Sequence, residues 1–162
     1  MRAVRISRAL LDAMSLHARA TYPDECCGFL VARPESPGED QPRAIVEALP
    51  AANEFAGERR RRFLLRPEEL RAAERRLEGT GKVVAGFYHS HPDHPARPSQ
   101  FDQEHAWPWY SYLVLAVTST GVGETRAFEL DPDSAEFHEV SLTVESPIGR
   151  RETVTGGLPR AY

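Results

Sequence analysis

The chain has 162 residues, of which 41% are hydrophobic and 27% are charged, as expected for one soluble globular domain with a single core. Its formal net charge of -4 indicates no general affinity for nucleic acid or for an anionic membrane, and we expect neither as a partner. A local exception is a run of four arginines, residues 59–62, which we interpret as a solvated loop.

The N-terminal residues carry arginines throughout and have no continuous apolar core, so they do not resemble a signal peptide. No segment approaches the roughly 20 apolar residues that span a bilayer. The two cysteines, Cys26 and Cys27, are neighbours within an apolar run, and adjacent cysteines rarely satisfy disulfide geometry. We therefore expect two reduced, buried thiols and a cytoplasmic protein.

The first part of the chain predicts a strand, a helix and two further strands. Ser7 is the expected N-cap of the helix, whose apolar residues recur at helical spacing, and Pro23 ends it. The predicted elements are a short edge strand over 2–6, the helix over 8–21, a buried strand over 26–32, a Pro- and Gly-rich turn over 33–42 and a return strand over 43–49.

The rest of the chain predicts two more helices and several strands after a loop over 50–62. Gly156 and Gly157, near the C-terminus, are interpreted as a flexible turn. The predicted elements are a short strand over 63–65, a helix from Pro67 to about residue 77, a strand over 82–90, a short helix over 99–106, a strand over 111–118 and a closing hairpin of 124–130 and 136–143.

These elements predict a single α/β (α+β) domain over residues 1–145. A central sheet is expected, flanked by two main helices and one short helix. Residues 146–162 show little periodicity, and we expect a partly disordered C-terminal tail.

The most informative segment is HSHPDHPARPSQFD, which begins at His89 and ends at Asp102. His89 and His91 are two apart at the end of a strand, so both imidazoles lie on one face and can reach one ion. Pro92 and two further prolines stiffen the following loop, which can hold Asp102 opposite the histidines. Three protein ligands leave a fourth position for water, the arrangement of a catalytic zinc site.

Each piece of this motif also has a simpler explanation. His-x-His at a strand end is often only surface polarity. Ser99 and Asp102 fit a helix N-cap with an acid at the third helical position, a variant of the capping box. The joint spacing favours the metal site, and Ser99 can cap the helix while directing its hydroxyl toward the site. His94 is an alternative third ligand, although it lies in a proline-flanked loop.

His-Ser-His-Pro, seven further residues and Ser-x-x-Asp resemble the signature of the JAMM (MPN+) metalloproteases. That signature includes an upstream glutamate, and Glu25 in YPDECCGFL stands at its position. Glu-x-Cys-Gly followed by a hydrophobic residue is typical of the short bacterial members. The resemblance covers nearly the whole chain in element order, and it implies an MPN-type domain with a mixed, mainly antiparallel sheet.

The resemblance also implies the role of each residue. His89, His91 and Asp102 would bind one Zn²⁺ per chain, Glu25 would act as general base and then acid, and Ser99 would stabilise the oxyanion. Without the resemblance, Glu25 is better explained as a surface acid before a strand. Its neighbour Asp24 could do the same chemistry, and the family pattern selects Glu25.

The short bacterial members are similar to peptidases that trim residues from the Gly-Gly end of ubiquitin-like sulfur-carrier proteins, and such a carrier is the expected partner. The arginines of residues 59–62 could meet an acidic face of that carrier. Residues 50–66 are the one place left for a substrate-binding insertion. The oligomeric state stays open.

Three other functions remain as alternatives. They are a deubiquitinase-like isopeptidase that acts on lysine conjugates, a non-catalytic MPN scaffold that binds ubiquitin-like partners, and a non-haem Fe(II) oxygenase with a two-histidine, one-carboxylate triad. A zinc deaminase is excluded, because its H-x-E and P-C-x-x-C elements are absent.

Overall fold

A computed structural model describes residues 1–34, 41–147 and 151–154. Within this part of the chain there are three helices and nine strands. In chain order they are β1 (Val4–Ser7), α1 (Arg8–Thr21), β2 (Cys27–Ala32), β3 (Arg43–Ala51), α2 (Pro67–Leu77), β4 (Val83–Pro92), α3 (Gln100–Glu104), β5 (Ser111–Thr118), β6 (Gly121–Leu130), β7 (Phe137–Val140), β8 (Leu142–Glu145) and β9 (Arg151–Val154).

All nine strands belong to one mixed sheet in the order β7-β6-β5-β4-β2-β3-β1-β8-β9. Strand β1 is parallel to β3 and β8, and β4 is parallel to β5. The other neighbouring pairs are antiparallel. The predicted fold class is therefore confirmed: an α+β domain whose sheet is mixed and mainly antiparallel.

The two main helices belong to different apolar clusters of the sheet. Helix α1 contributes Leu11, Met14 and Ala18 to one cluster, which also contains Leu30 of β2. Helix α2 contributes Ala73 and Leu77 to a second cluster, which contains the neighbours of Leu30 along that strand, Phe29 and Val31. Because successive residues of a strand point to opposite faces, both faces of β2 are covered.

Local signals set the ends of α1 and the packing of β2. Ser7 Oγ accepts a hydrogen bond from the Leu10 N–H at 3.2 Å, which confirms the predicted N-cap. Gly28 of β2 lies against the Tyr88 ring, and a Cβ at this position would collide with that ring and with the Leu49 carbonyl. The glycine three residues after Glu25 is therefore required by close packing.

Two predicted strands differ from the structure. Strand β1 lies between β3 and β8 and is not an edge strand, because Val4 and Ile6 are buried in the core. Its one arginine, Arg5, has a side chain that is 41% exposed and lies near Glu145. Residues 63–65 form no strand, because the Leu64 N–H donates to Asn53 Oδ1 and takes part in no sheet ladder.

The C-terminal hairpin also differs from the prediction. The segment 136–143 divides at Ser141 into β7, which pairs with β6, and β8, which pairs with β1 on the far side of the sheet. Strand β9 then pairs with β8. Gly156 and Gly157 lie outside the described residues. In the described part of the chain, no helix is long and apolar enough to cross a membrane.

Candidate active site

The two histidines of the motif lie on an interior strand of the sheet. Strand β4 is paired on both sides, with His89 opposite Cys27 of β2 and Val114 of β5. His89 is 1% exposed and His91 is 6% exposed. Ser90, between them, points to the other face, where its Oγ accepts a hydrogen bond from the Cys26 N–H at 2.9 Å. The pairing therefore holds both imidazoles on one face, as the spacing predicts.

Helix α3 brings the carboxylate of Asp102 to the histidines. Ser99 Oγ accepts from the Asp102 N–H at 3.1 Å, and Asp102 Oδ2 accepts from the Ser99 N–H at 2.6 Å. This reciprocal pair is a capping box closed by an aspartate. The two interpretations of Ser99 and Asp102 are thus compatible, because the capping contacts fix the carboxylate at the site.

Three potential ligand atoms converge at one point. His89 Nε2 lies 3.1 Å from His91 Nε2, and each lies 3.3 Å from Asp102 Oδ2. His91 Nδ1 donates to the Pro95 carbonyl at 3.0 Å, which leaves its Nε2 lone pair for a ligand bond. The three residues form a buried group that could hold a metal ion, and two imidazoles with one carboxylate fit such an ion chemically.

Electrostatics favour a neutral His89 and an ionised Asp102 in this group. Burial lowers the pKa of His89, which favours the neutral imidazole. Burial works against ionisation of Asp102, but the charge and hydrogen bond of His89 and the hydrogen bonds from His91 and Ser99 hold its pKa far below the ordinary value. For His91, burial is likewise outweighed by Asp102, and the pKa is raised. The raised pKa favours the protonated form of His91 beside the Asp102 carboxylate, and a metal ion bound at Nε2 would take the place of that proton.

Glu25 reaches the same site from the segment just before β2. Glu25 lies two residues before Cys27, and His91 lies two residues after His89. Because Cys27 pairs with His89 in antiparallel orientation, Glu25 and His91 are brought close together. Glu25 is 3% exposed, and its Oε2 has no hydrogen-bond partner among the described residues. Burial raises its pKa to about 8, with smaller opposing effects of the His91 and Asp102 charges.

Glu25 and Ser99 line one cleft together with His91. Asp24 is not among the residues that line this cleft. His94, the alternative ligand, is exposed and lies outside the group of converging ligand atoms. The structure therefore brings Glu25, Ser99, His89, His91 and Asp102 to one place.

Residues 53–64 fold over the site, a feature that the sequence left undefined. Asn53 Nδ2 donates to the carbonyls of Glu25 (3.1 Å) and Arg62 (2.9 Å). Its Oδ1 accepts from the N–H groups of Phe55 and Leu64. The Glu25 N–H donates to the Arg59 carbonyl at 2.7 Å. Both backbone polar groups of Glu25 are thus bonded to this segment.

Aromatic contacts complete the cover. The Phe63 ring stacks on His89 with a centroid distance of 4.5 Å and an interplanar angle of 25°. The Arg62 guanidinium lies over the rings of Phe55 and Phe101, at 5.8 and 5.0 Å from their centroids. The four consecutive arginines between Phe55 and Phe63 were the available signal in the sequence, but they do not show which site the segment covers.

Two cavities flank the converging ligands. One, of about 50 Å³, is largely apolar and is bounded by His89 and Asp102, with Phe63, Phe87 and Trp107 among its walls. The other, of about 420 Å³, contains the acid and the serine. It is lined by Glu25, Arg61, His91, His94, Pro95, Arg97 and Ser99. The site therefore has a narrow apolar side and a wide polar side.

Comparison with known proteins identifies the family. Residues 7–131 match the family of prokaryotic homologs of the JAB domain, and the chain belongs to this family. It is 36% identical over 139 residues to the desampylase of Haloferax volcanii, covering 83% of this chain and 91% of the relative. It is also 36% identical over 138 residues to the CysO-cysteine peptidase of Mycobacterium tuberculosis, covering 84% and 88%.

A solved structure supports the fold. A JAB1/MPN domain protein from Archaeoglobus fulgidus superimposes with a TM-score of 0.52 at 20% identity, covering 88% of this chain and 98% of the other. The expected family and MPN-type fold are thereby confirmed. With relatives of this kind, the chain is a hydrolase of the peptidase type. This class replaces the alternative of a non-haem Fe(II) oxygenase, which does not account for the Glu-x-Cys-Gly sequence.

Proposed function

We propose that this protein is a zinc-dependent peptidase that hydrolyses the bond after the Gly-Gly end of a ubiquitin-like sulfur-carrier protein. The observation that carries the proposal is the convergence of His89 Nε2, His91 Nε2 and Asp102 Oδ2 beside a buried carboxyl oxygen of Glu25 that has no hydrogen-bond partner in the described part of the chain. A metal site next to a general base is the arrangement of a metal-assisted hydrolase.

Zinc is the proposed ion, because two imidazoles and one carboxylate with an open fourth position suit it. When bound by His89, His91 and Asp102, Zn²⁺ would supply a Lewis acid that polarises the scissile carbonyl and lowers the pKa of water toward about 7. The Pro95 carbonyl accepts from His91 Nδ1 and so fixes the orientation of that ring. Phe63 covers His89 and keeps bulk water from that side.

Glu25 would act as the general base. It takes a proton from the attacking water, whose oxygen bonds to the carbonyl carbon, and returns the proton to the departing amine as the C–N bond breaks. A raised pKa of about 8 suits this exchange, because the group can hold and release a proton near neutral pH. The segment of residues 53–64, which forms hydrogen bonds with both backbone polar groups of Glu25, would hold it in place.

Ser99 would stabilise the oxyanion of the tetrahedral intermediate. Its Oγ already accepts the capping hydrogen bond from the Asp102 N–H. The hydroxyl hydrogen is therefore available for donation, since accepting a bond leaves a hydroxyl donor unused. Ser99 lines the same cleft as Glu25, as this role requires.

The relatives and the apolar cavity support the substrate class. One relative is named a desampylase and another a CysO-cysteine peptidase, which supports a small protein conjugate as the substrate. The cavity of about 50 Å³ beside His89 and Asp102 is narrow and largely apolar, which suits a glycine tail. We further propose a cytoplasmic location, because Cys26 and Cys27 are free, buried thiols.

The test is mass spectrometry of the purified protein after incubation with a ubiquitin-like carrier extended past its Gly-Gly end. Parallel reactions contain a chelator, or use Glu25→Gln in place of the wild type. Cleavage after Gly-Gly that needs both the metal and Glu25 supports the proposal. Cleavage of a lysine conjugate but not of the linear extension would support an isopeptidase, and metal-loaded protein that cleaves neither would support a scaffold.

A further inference from the structure

The wide cleft beside Glu25 is basic on both of its walls. Arg61 comes from the turn that covers the site, and Arg97 comes from the loop between β4 and α3. Both are exposed, as is His94 on the Arg97 side. Glu25, His91 and Ser99 line the same cleft. Two positive groups thus flank the place where the proposed proton transfer occurs.

The arginines of residues 59–62 have different contacts. Arg59 Nε donates to the Phe55 carbonyl at 3.0 Å, and Arg60 lies 3.9 Å from an Asp93 carboxylate oxygen. Arg62 lies over two aromatic rings. The Arg61 side chain, in contrast, has no hydrogen bond or ion pair with any residue that the structure describes, and the same holds for Arg97. These two guanidinium groups remain available for an anion, and both line the cleft.

The position of Glu25 decides which part of a substrate enters this cleft. Under the proposed function, Glu25 gives its proton to the departing amine, so the leaving group lies on the Glu25 side. In a single departing amino acid, the α-carboxylate is only two bonds from that amine nitrogen. An ε-amine of lysine carries no carboxylate nearby, and a longer extension has a neutral amide at that place.

We infer that this cleft is a subsite for the free α-carboxylate of a single-residue leaving group, which Arg61 and Arg97 bind. This inference rests on the proposed function and makes it more specific. The protein would remove one amino acid from the end of the carrier, and it would discriminate against lysine isopeptides and long extensions. Guanidinium groups suit this task, because they stay charged and bind carboxylates through paired N–H donors.

The test compares two substrates that differ only in the terminal charge. The probes are ubiquitin extended by one alanine past its Gly-Gly end, as the free acid and as the C-terminal amide. We expect wild type to cleave the acid with a kcat/KM about tenfold or more above that for the amide. Arg61→Gln combined with Arg97→Gln should lower kcat/KM for the acid about tenfold and leave the value for the amide unchanged.

Arg76→Gln is the matched control, because Arg76 is an exposed arginine of α2 that lies outside the cleft. It removes a positive charge and should change neither rate. Equal cleavage of acid and amide by wild type would overturn the inference and leave the proposed function intact. An equal loss on both substrates in the double variant would also overturn it. Cleavage of neither probe by metal-loaded wild type would overturn the proposed function, and the inference with it.

Discussion

The side-chain amide of Asn53 donates a hydrogen bond to the main-chain carbonyl of Glu25 at 3.1 Å, across 28 positions of the sequence. The same amide nitrogen donates to the Arg62 carbonyl, and the amide oxygen accepts from two N–H groups of the covering segment. Asn53 therefore connects the proposed general base to the segment that covers the site.

Asn53→Asp should lower kcat about tenfold or more while KM and metal content stay close to wild type. Aspartate keeps the acceptor oxygen for Phe55 and Leu64 but has no N–H for the carbonyls of Glu25 and Arg62. Asn53→Ala removes both sets of bonds and should also lower the free energy of unfolding by about 1–3 kcal/mol. Steady-state kinetics and denaturant unfolding of both variants measure these effects. An unchanged kcat in folded Asn53→Asp would contradict the positioning role.

Ser99→Ala and Ser99→Gly separate the capping role of Ser99 from its proposed catalytic role. Both remove the hydroxyl, so both should lower kcat by roughly 10²–10³-fold. Alanine at an N-cap costs about 1 kcal/mol of stability, whereas glycine costs only a few tenths. Kinetics and thermal unfolding are measured side by side. If Ser99→Gly is nearly as active as wild type while Ser99→Ala is not, kcat follows the loss of stability. Ser99 would then act only as a helix cap.

Asp102→Ala should lower metal affinity by more than about 100-fold, because it removes one of three converging ligand atoms. Elemental analysis after dialysis against a weak chelator gives the metal content per chain. His94→Ala is the control and should keep full metal content, since His94 is exposed and outside the ligand group. A full metal content in Asp102→Ala together with a loss of metal in His94→Ala would identify His94, and not Asp102, as the third ligand.

In the metal-free protein, Glu25→Gln should become progressively more stable than wild type as the pH rises. Glu25 has a pKa raised from 4.5 to about 8 by burial, so the folded state keeps a proton that the unfolded state has released. Between these values stability falls with rising pH, and the upper limit of the effect is about 5 kcal/mol. Glutamine does not titrate, so the Glu25→Gln variant does not lose stability in this way as the pH rises.

Denaturant unfolding at about pH 5 and about pH 8 measures the effect. Asp24→Asn removes the neighbouring carboxylate, which lies outside the cleft, and should not reproduce it. A constant stability difference between Glu25→Gln and wild type at both pH values would show that burial does not hold the proton on Glu25.

Elements with strong local signals were predicted correctly from the sequence. Helix α1 begins at the cap provided by Ser7, and α2 begins at Pro67. The two-residue spacing placed His89 and His91 on one face of β4. The capping box at Ser99 and Asp102 was also visible, because both partners lie within one helical turn.

The predictions that were wrong concern contacts between residues that are distant in the sequence. Residues 2–6 were predicted to form an edge strand, but pairing with β3 and β8 places β1 inside the sheet. His17 Nδ1 lies 2.8 Å from the Tyr88 hydroxyl, 71 positions away in the sequence, and no local pattern indicates this contact. Periodicity describes which face of an element is apolar, but it does not identify the strand that will lie beside it.

The sequence by itself determined the candidate ligand residues, the strand and helix that carry them and the family resemblance, because these depend on residue types at short, fixed spacings. Only the tertiary structure decided how residues 53–64 cover the site and how burial raises the pKa of Glu25. It also decided that Arg61 is the arginine of residues 59–62 that lines the cleft. These properties arise from burial and from hydrogen bonds between segments far apart in the chain, and no local pattern encodes them.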